Sequence, residues 1–142
     1  MGNMKEKTIT ILGCDSSHAA EFIKNILILN SRYNFNLKVI SLWDKNIILA
    51  KALALKHSIE FYTDNISKAL KGADIILVAN RFGEERYEIA KQSLIAEKPT
   101  FLDKPITMNL QEAKNLKDFY EAKSIKLFSA SAFRFSNEVQ EL

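Results

Sequence analysis

The chain has 142 residues, 47% hydrophobic and 26% charged, which is enough for one domain with its own core and too little for two. Its formal net charge of +3, with lysines and acids interspersed, excludes the basic stripe of a nucleic-acid surface. A single cysteine, Cys14, excludes an internal disulfide and suits a reducing compartment, so the expected location is cytoplasmic. The apolar run from Phe22 to Leu29 is interrupted by Lys24 and Asn25 and is too short to cross a bilayer. Met1-Gly2 does not open a myristoylation signal, because Glu6 stands where Ser or Thr is needed.

In chain order, Thr8–Leu12 reads as a strand and His18–Leu29 as a helix, then Leu37–Leu42 as a strand and Ile47–Lys56 as a helix ending near His57. Phe61–Tyr62 is a short strand before a small helix at Ile66–Leu70, which Gly72 is placed to end. Asp74–Ala79 is a continuous apolar strand, followed by a helix over Glu84–Ala96. Thr100–Leu102, Leu110–Lys123 and Lys126–Ala130 complete the alternation as strand, helix and strand. The strands lack a polar-out alternation, so both of their faces are expected to be buried, as in a parallel sheet between helix layers. Asn109 and Glu112 have the spacing of a capping box. The pattern predicts an α/β fold with a doubly wound parallel sheet, a Rossmann fold.

Such sheets bind ligands beyond the carboxyl ends of their strands, where strand order reverses. The first strand runs into Gly13-Cys14-Asp15-Ser16-Ser17-His18, where a dinucleotide turn would read G-x-G-x-x-G. Gly13 supplies the first glycine, while Asp15 and His18 occupy the second and third. At about 5 Å and an effective dielectric of about 20, a carboxylate at Asp15 would oppose each pyrophosphate charge by about 3 kcal/mol. Either Asp15 points away, or the pyrophosphate is displaced, or no dinucleotide binds. The helix-start amides, with the Ser16 and Ser17 hydroxyls and a His18 donor, still suit an anion. The plain structural alternative has Ser17 capping the helix and Asp15 in a turn. Cys14 and His18 are too few ligands for a metal. Asp44, after the second strand, either accepts from an adenosine ribose, favouring NAD over NADP, or caps the following helix. Lys45 beside it would soften the repulsion of a 2′-phosphate.

The later half carries a resemblance. Ala73-Asp74-Ile75-Ile76-Leu77-Val78-Ala79-Asn80, then Glu97-Lys98-Pro99-Thr100-Phe101-Leu102-Asp103-Lys104-Pro105, and finally Phe133-Arg134-Phe135 resemble the amino-terminal domain of the Gfo/Idh/MocA oxidoreductases. Asp103-Lys104-Pro105 is similar to the E-K-P at the end of that family's fifth strand. The resemblance implies that Lys104 lies beside nicotinamide and substrate, orienting substrate oxygen or assisting proton transfer. It implies an often cis peptide before Pro105, and it places Ala79, Asn80, Asp103, Pro105 and Arg134 at the cofactor. Arg86 falls roughly where the family often has histidine. Arginine is no general base at neutral pH, so Arg86 reads as an exposed helix residue paired with Glu84 or Glu85, or as a clamp for carboxylate or phosphate.

The resemblance makes residues 1–135 the dinucleotide-binding domain and 136–142 the start of a crossover into a second, substrate-binding domain that would mediate homo-oligomerisation. The chain then reads first as an expressed fragment of an oxidoreductase, truncated and inactive by itself, with a natural truncation or a partner chain providing the rest as the alternatives. NAD or NADP would be the cofactor, and a sugar, polyol or similar hydroxylated compound the substrate. The alternative is a non-catalytic Rossmann module that has abandoned the dinucleotide.

Overall fold

A computed structural model of the chain describes residues 5–140; the Met1-Gly2 reading and the last two residues of the expected crossover lie outside that range. The sheet is built from β1 (Lys7–Leu12), β2 (Leu37–Trp43), β3 (Phe61–Thr63), β4 (Ile75–Val78), β5 (Thr100–Leu102) and β6 (Leu127–Phe128). Their spatial order is β3-β2-β1-β4-β5-β6, and every neighbouring pair is parallel. Order therefore reverses between β1 and β4, so the crevice of this doubly wound sheet opens above their carboxyl ends.

The sheet holds one core on each face, because side chains alternate along a strand. Ile9, Ile11 and Leu42 pack with Ala19, Ile23 and Ile26 of α1 (Ser17–Tyr33) and Ala50 and Ala54 of α2 (Ile47–His57). Leu12, Ile76, Val78 and Leu102 face the other way. They meet Ala69 of α3 (Ile66–Ala69), Ile89 and Ala90 of α4 (Gly83–Ile95), and Leu116 and Tyr120 of α5 (Leu110–Ala122). A register shift between Ile9 and Thr10 pairs Thr10 with Ser41. Their hydroxyls lie 2.7 Å apart, and both reach the Ala69 carbonyl, so two buried polar residues are satisfied while tying α3 to the sheet.

Several boundaries move for visible reasons. Helix α1 runs past the expected Leu29 to Tyr33, because the Asn30 amide exchanges hydrogen bonds with the Leu37 backbone and fastens the last turns to β2. Asn34 ends it in the left-handed region at φ 53°. Asn109 caps α5 by accepting from the Gln111 and Glu112 amides, but the capping box is only half formed. The Asn109 amide donates instead to Thr107 Oγ1. The last strand shrinks to two residues at the sheet edge, and a 3₁₀ turn (Ala132–Phe135) and the short α6 (Asn137–Gln140) follow it. Among the described residues, no helix is long and apolar enough to cross a membrane.

Leu116 is fully buried in the second core. Leu116→Ala is expected to lower stability by about 2–5 kcal/mol, read from the urea midpoint; a loss under about 0.5 kcal/mol would contradict this packing.

Candidate functional site

The turn after β1 is shaped by Gly13. Its φ is +94°, a conformation that L side chains rarely adopt, and a Cβ there would stand 2.3 Å from the Asn80 backbone nitrogen. Glycine is therefore required both for the turn and for the close approach of the β1 and β4 ends. The Gly13 amide donates to the Trp43 carbonyl at 2.8 Å, which draws the β2 end into the same cluster.

Asp15 is turned toward the loop after β4. Its carboxylate accepts from the Arg81 backbone amide at 2.9 Å, and Arg81 Nε donates to the Asp15 carbonyl at 3.1 Å. Ser16, not Ser17, occupies the cap position of α1, and its hydroxyl donates to the Ala79 carbonyl at 2.6 Å. No side chain caps α1, and its first turn carries no acid. Ser17 is exposed as the first helical residue. The expectation that Ser17 caps the helix is thus corrected: the available hydroxyl at the cap is spent on β4, and the helix-start amides are left for an anion.

Asp44 is buried, with both carboxylate oxygens used. One accepts from the Cys14 amide at 2.7 Å and the other from the Asn46 amide at 2.8 Å. Helix α2 is capped by Asn46, whose side chain accepts from the Ile48 amide, so Asp44 is not its cap. Lys45 is committed to an ion pair with Glu85 at the start of α4. Burial, then the charges of Asp44 and Asp15, push the Cys14 thiol up to about 12.

The loop after β5 completes the cluster. His18 Nδ1 lies 2.5 Å from Asp103 Oδ2, and Asp103 Oδ1 accepts the Lys104 amide at 2.8 Å. The Lys104–Pro105 peptide is cis, in line with the resemblance. Lys104 is exposed and lines, with His18, Phe22, Phe101, Asp103 and Phe128, a cavity of about 570 Å³. Arg134 lies on the exposed 3₁₀ turn outside that lining, whereas Phe133 and Phe135 belong to it.

Arg86 corrects both readings made of it. It is 1% exposed, and its guanidinium donates to Asn80 Oδ1 at 3.3 Å, to the Asn80 carbonyl and to the Pro105 carbonyl. It is neither a solvated partner of Glu84 or Glu85 nor open to a ligand. Burial pulls it below the ordinary arginine value, opposed by the charges of Asp103, Asp15 and Glu84. The signal was present in the spacing: Arg86, Ile89, Ala90 and Ser93 share the buried stripe of α4. Asn80, buried in turn, uses its amide nitrogen on the Phe82 carbonyl at 2.7 Å.

The structure thus gathers Gly13, Asp15, Ser16, Ser17, His18, Ala79, Asn80, Asp103, Lys104 and Pro105 around the ends of β1, β4 and β5, with Asp44 joined through Cys14. Among the described residues, no group of three or more His, Cys, Asp or Glu is placed to hold a metal.

Residues 7–131 match the family model described as GFO_IDH_MocA, an oxidoreductase family with an NAD-binding Rossmann fold. No curated protein matches the sequence. Among solved structures, an NAD-binding oxidoreductase from Klebsiella pneumoniae is similar over 96% of this chain and 37% of its own, with a TM-score of 0.81 and 15% identity. A UDP-N-acetylglucosamine 3-dehydrogenase from Acidithiobacillus ferrooxidans is similar over 97% and 41%, with a TM-score of 0.79 and 14% identity. The WlbA dehydrogenase from Bordetella pertussis, in complex with NADH and UDP-GlcNAcA, is similar over 96% and 40%, with a TM-score of 0.78 and 16% identity. The chain spans about two fifths of the length of these structures.

Two outcomes follow from the geometry. Gly13→Ala is expected to cost about 2–4 kcal/mol in chemical denaturation, because both φ and the Asn80 backbone oppose a Cβ; a neutral result would show that the turn is looser than described. Cys14 in the folded chain is expected to react with iodoacetamide at pH 8 at least about a hundredfold more slowly than in urea, since the thiolate is the nucleophile. Equal rates would contradict its burial.

Proposed function

This chain belongs to the Gfo/Idh/MocA oxidoreductase family with its NAD-binding Rossmann fold, and we propose that it is the cofactor-holding part of an enzyme that oxidises or reduces a sugar, polyol or related hydroxylated compound. The observation that carries the reading is the convergence of an uncapped α1, Gly13 and the Asp103-Lys104-Pro105 turn at the switch point between β1 and β4. Residues 1–135 are assigned to this cofactor domain and 136–142 to the start of a crossover. A further domain would supply substrate contacts and association between copies, in a cytoplasmic setting.

The residues fit a dinucleotide. The α1 amides would take the pyrophosphate, with the Asp15 carboxylate partly engaged by the Arg81 amide. A buried carboxylate at Asp44 opposes a 2′-phosphate, and Lys45, held by Glu85, is not free to compensate. That supports NAD over NADP. When bound, the nicotinamide supplies or accepts the hydride, chemistry that protein side chains lack. Lys104, without an ion-pair partner among the described residues, would hold the substrate oxygen through its ammonium. The sugar class is supported by solved neighbours such as a UDP-N-acetylglucosamine 3-dehydrogenase and a dehydrogenase in complex with UDP-GlcNAcA.

Calorimetric titration of the folded chain with NAD⁺, NADH, NADP⁺ and NADPH tests the reading. NAD⁺ or NADH is expected to bind more tightly than its phosphorylated counterpart, and to stabilise the fold by about 2.7 kcal/mol at a hundred times the dissociation constant. No heat from any of the four at millimolar concentration would overturn it and leave a non-catalytic Rossmann module. Asp15→Gly is expected to tighten NAD⁺ binding by removing a like charge near the pyrophosphate; unchanged or weaker affinity would show that Asp15 does not oppose it.

A further inference from the structure

His18 stands in sequence as the third position of an eroded glycine pattern, and folding gives it a different partner. It lies at the start of α1, 85 positions from Asp103, yet the two side chains meet at 2.5 Å. Asp103 is nearly enclosed, with its side chain 9% exposed, while the His18 ring is 41% exposed. Both carboxylate oxygens of Asp103 are engaged, one by the ring and one by the Lys104 amide. The carboxylate therefore sets the position of the imidazole and of the Lys104 backbone together.

A fixed carboxylate against Nδ1 favours the tautomer protonated there, which leaves the lone pair of the neutral ring on Nε2. Nε2 is then the ring nitrogen left for a ligand, with no partner among the described residues. His18 and Lys104 line the same cavity, and its further lining by Phe22, Phe101 and Phe128 suits the C–H face of a hydroxylated ring. The other charged groups near the pair are accounted for. Glu21, one turn along α1, is bonded to Lys24 at 2.6 Å, and Arg86 lies near Asp103 but is committed to Asn80 and Pro105.

We propose that His18 is the acid–base residue of this site and Asp103 its positioning residue, an assignment that rests on the cofactor reading above. In the oxidative direction the substrate O–H bond breaks and its proton passes to His18 Nε2. The freed electron pair forms the second bond of the new carbonyl. The hydrogen on the adjoining carbon leaves with its electron pair as hydride, reducing NAD⁺ to NADH. Lys104, as an ammonium, has no lone pair to accept that proton, so it holds the oxygen while His18 receives the charge. The domain would thus bring its own proton acceptor to the reaction.

The test uses the full chain, nitrogen-15 NMR of both imidazoles, and modification by diethyl pyrocarbonate mapped by peptide mass spectrometry. Neutral His18 is expected to carry its proton on Nδ1. Asp103→Asn should abolish that preference, and Asp103→Glu should restore it by returning a carboxylate. His18 should react faster than His57, whose Nε2 is buried without a partner. NADH at ten times its dissociation constant should slow His18 modification by about tenfold, the factor by which the free fraction falls, and leave His57 unchanged. A proton on Nε2, or an unprotected His18 with NADH shown calorimetrically to be bound, would overturn the assignment while the cofactor reading stands. Absence of NADH binding removes the cofactor reading, and this assignment with it. A purely structural ring would show the tautomer but no protection.

Discussion

A guanidinium taken out of water needs acceptors for its N–H groups, and Arg86 finds them in the two loops that frame the crevice. A buried cation is costly unless hydrogen bonds compensate it. Here the compensation comes from the Asn80 side-chain oxygen and the backbone carbonyls of Asn80 and Pro105. The clamp therefore works in both directions: the loops keep Arg86 satisfied, and Arg86 keeps the loops at a fixed separation. Helix α4, carrying Arg86 on its buried stripe, is the rigid body from which the ends of β4 and β5 are held.

The remaining contacts at the crevice build outward from that fixed frame. Gly13 brings the β1 end against Asn80, Ser16 adds a second tie to Ala79, and Asp15 a third to Arg81. Through Asp103 the same frame reaches His18 on α1 and Lys104 beside the cavity. A turn that has lost two of the expected glycines is thus not a loosened version of the pattern. Its polar replacements are each engaged by the neighbouring strand ends, which makes the turn more cross-linked than glycines could.

Much of the architecture was legible from the chain alone. Apolar β-branched runs alternating with helical segments specify parallel strands between two helix layers, because a strand buried on both faces has no polar side to show. The Asp103-Lys104-Pro105 turn was legible through its position after the fifth strand. Less legible were features whose causes lie far away in sequence. The extension of α1 comes from Asn30 meeting Leu37, and the half-formed cap of α5 comes from Thr107 competing for the Asn109 amide.

For single side chains the division is sharper. Composition, periodicity and the turn residues determined the sheet, its doubly wound order and the end at which a ligand would sit, since these follow from local geometry and from which faces must be buried. They did not determine what Asp15, His18, Asp44 or Arg86 would touch. A polar side chain makes its bonds with whatever group folding brings within about 3 Å, and here those groups lie in loops that follow other strands: Arg81 for Asp15, Asp103 for His18, Cys14 for Asp44, Pro105 for Arg86. Only the tertiary structure decides such pairings, because they depend on distances between chain segments that sequence separation does not encode.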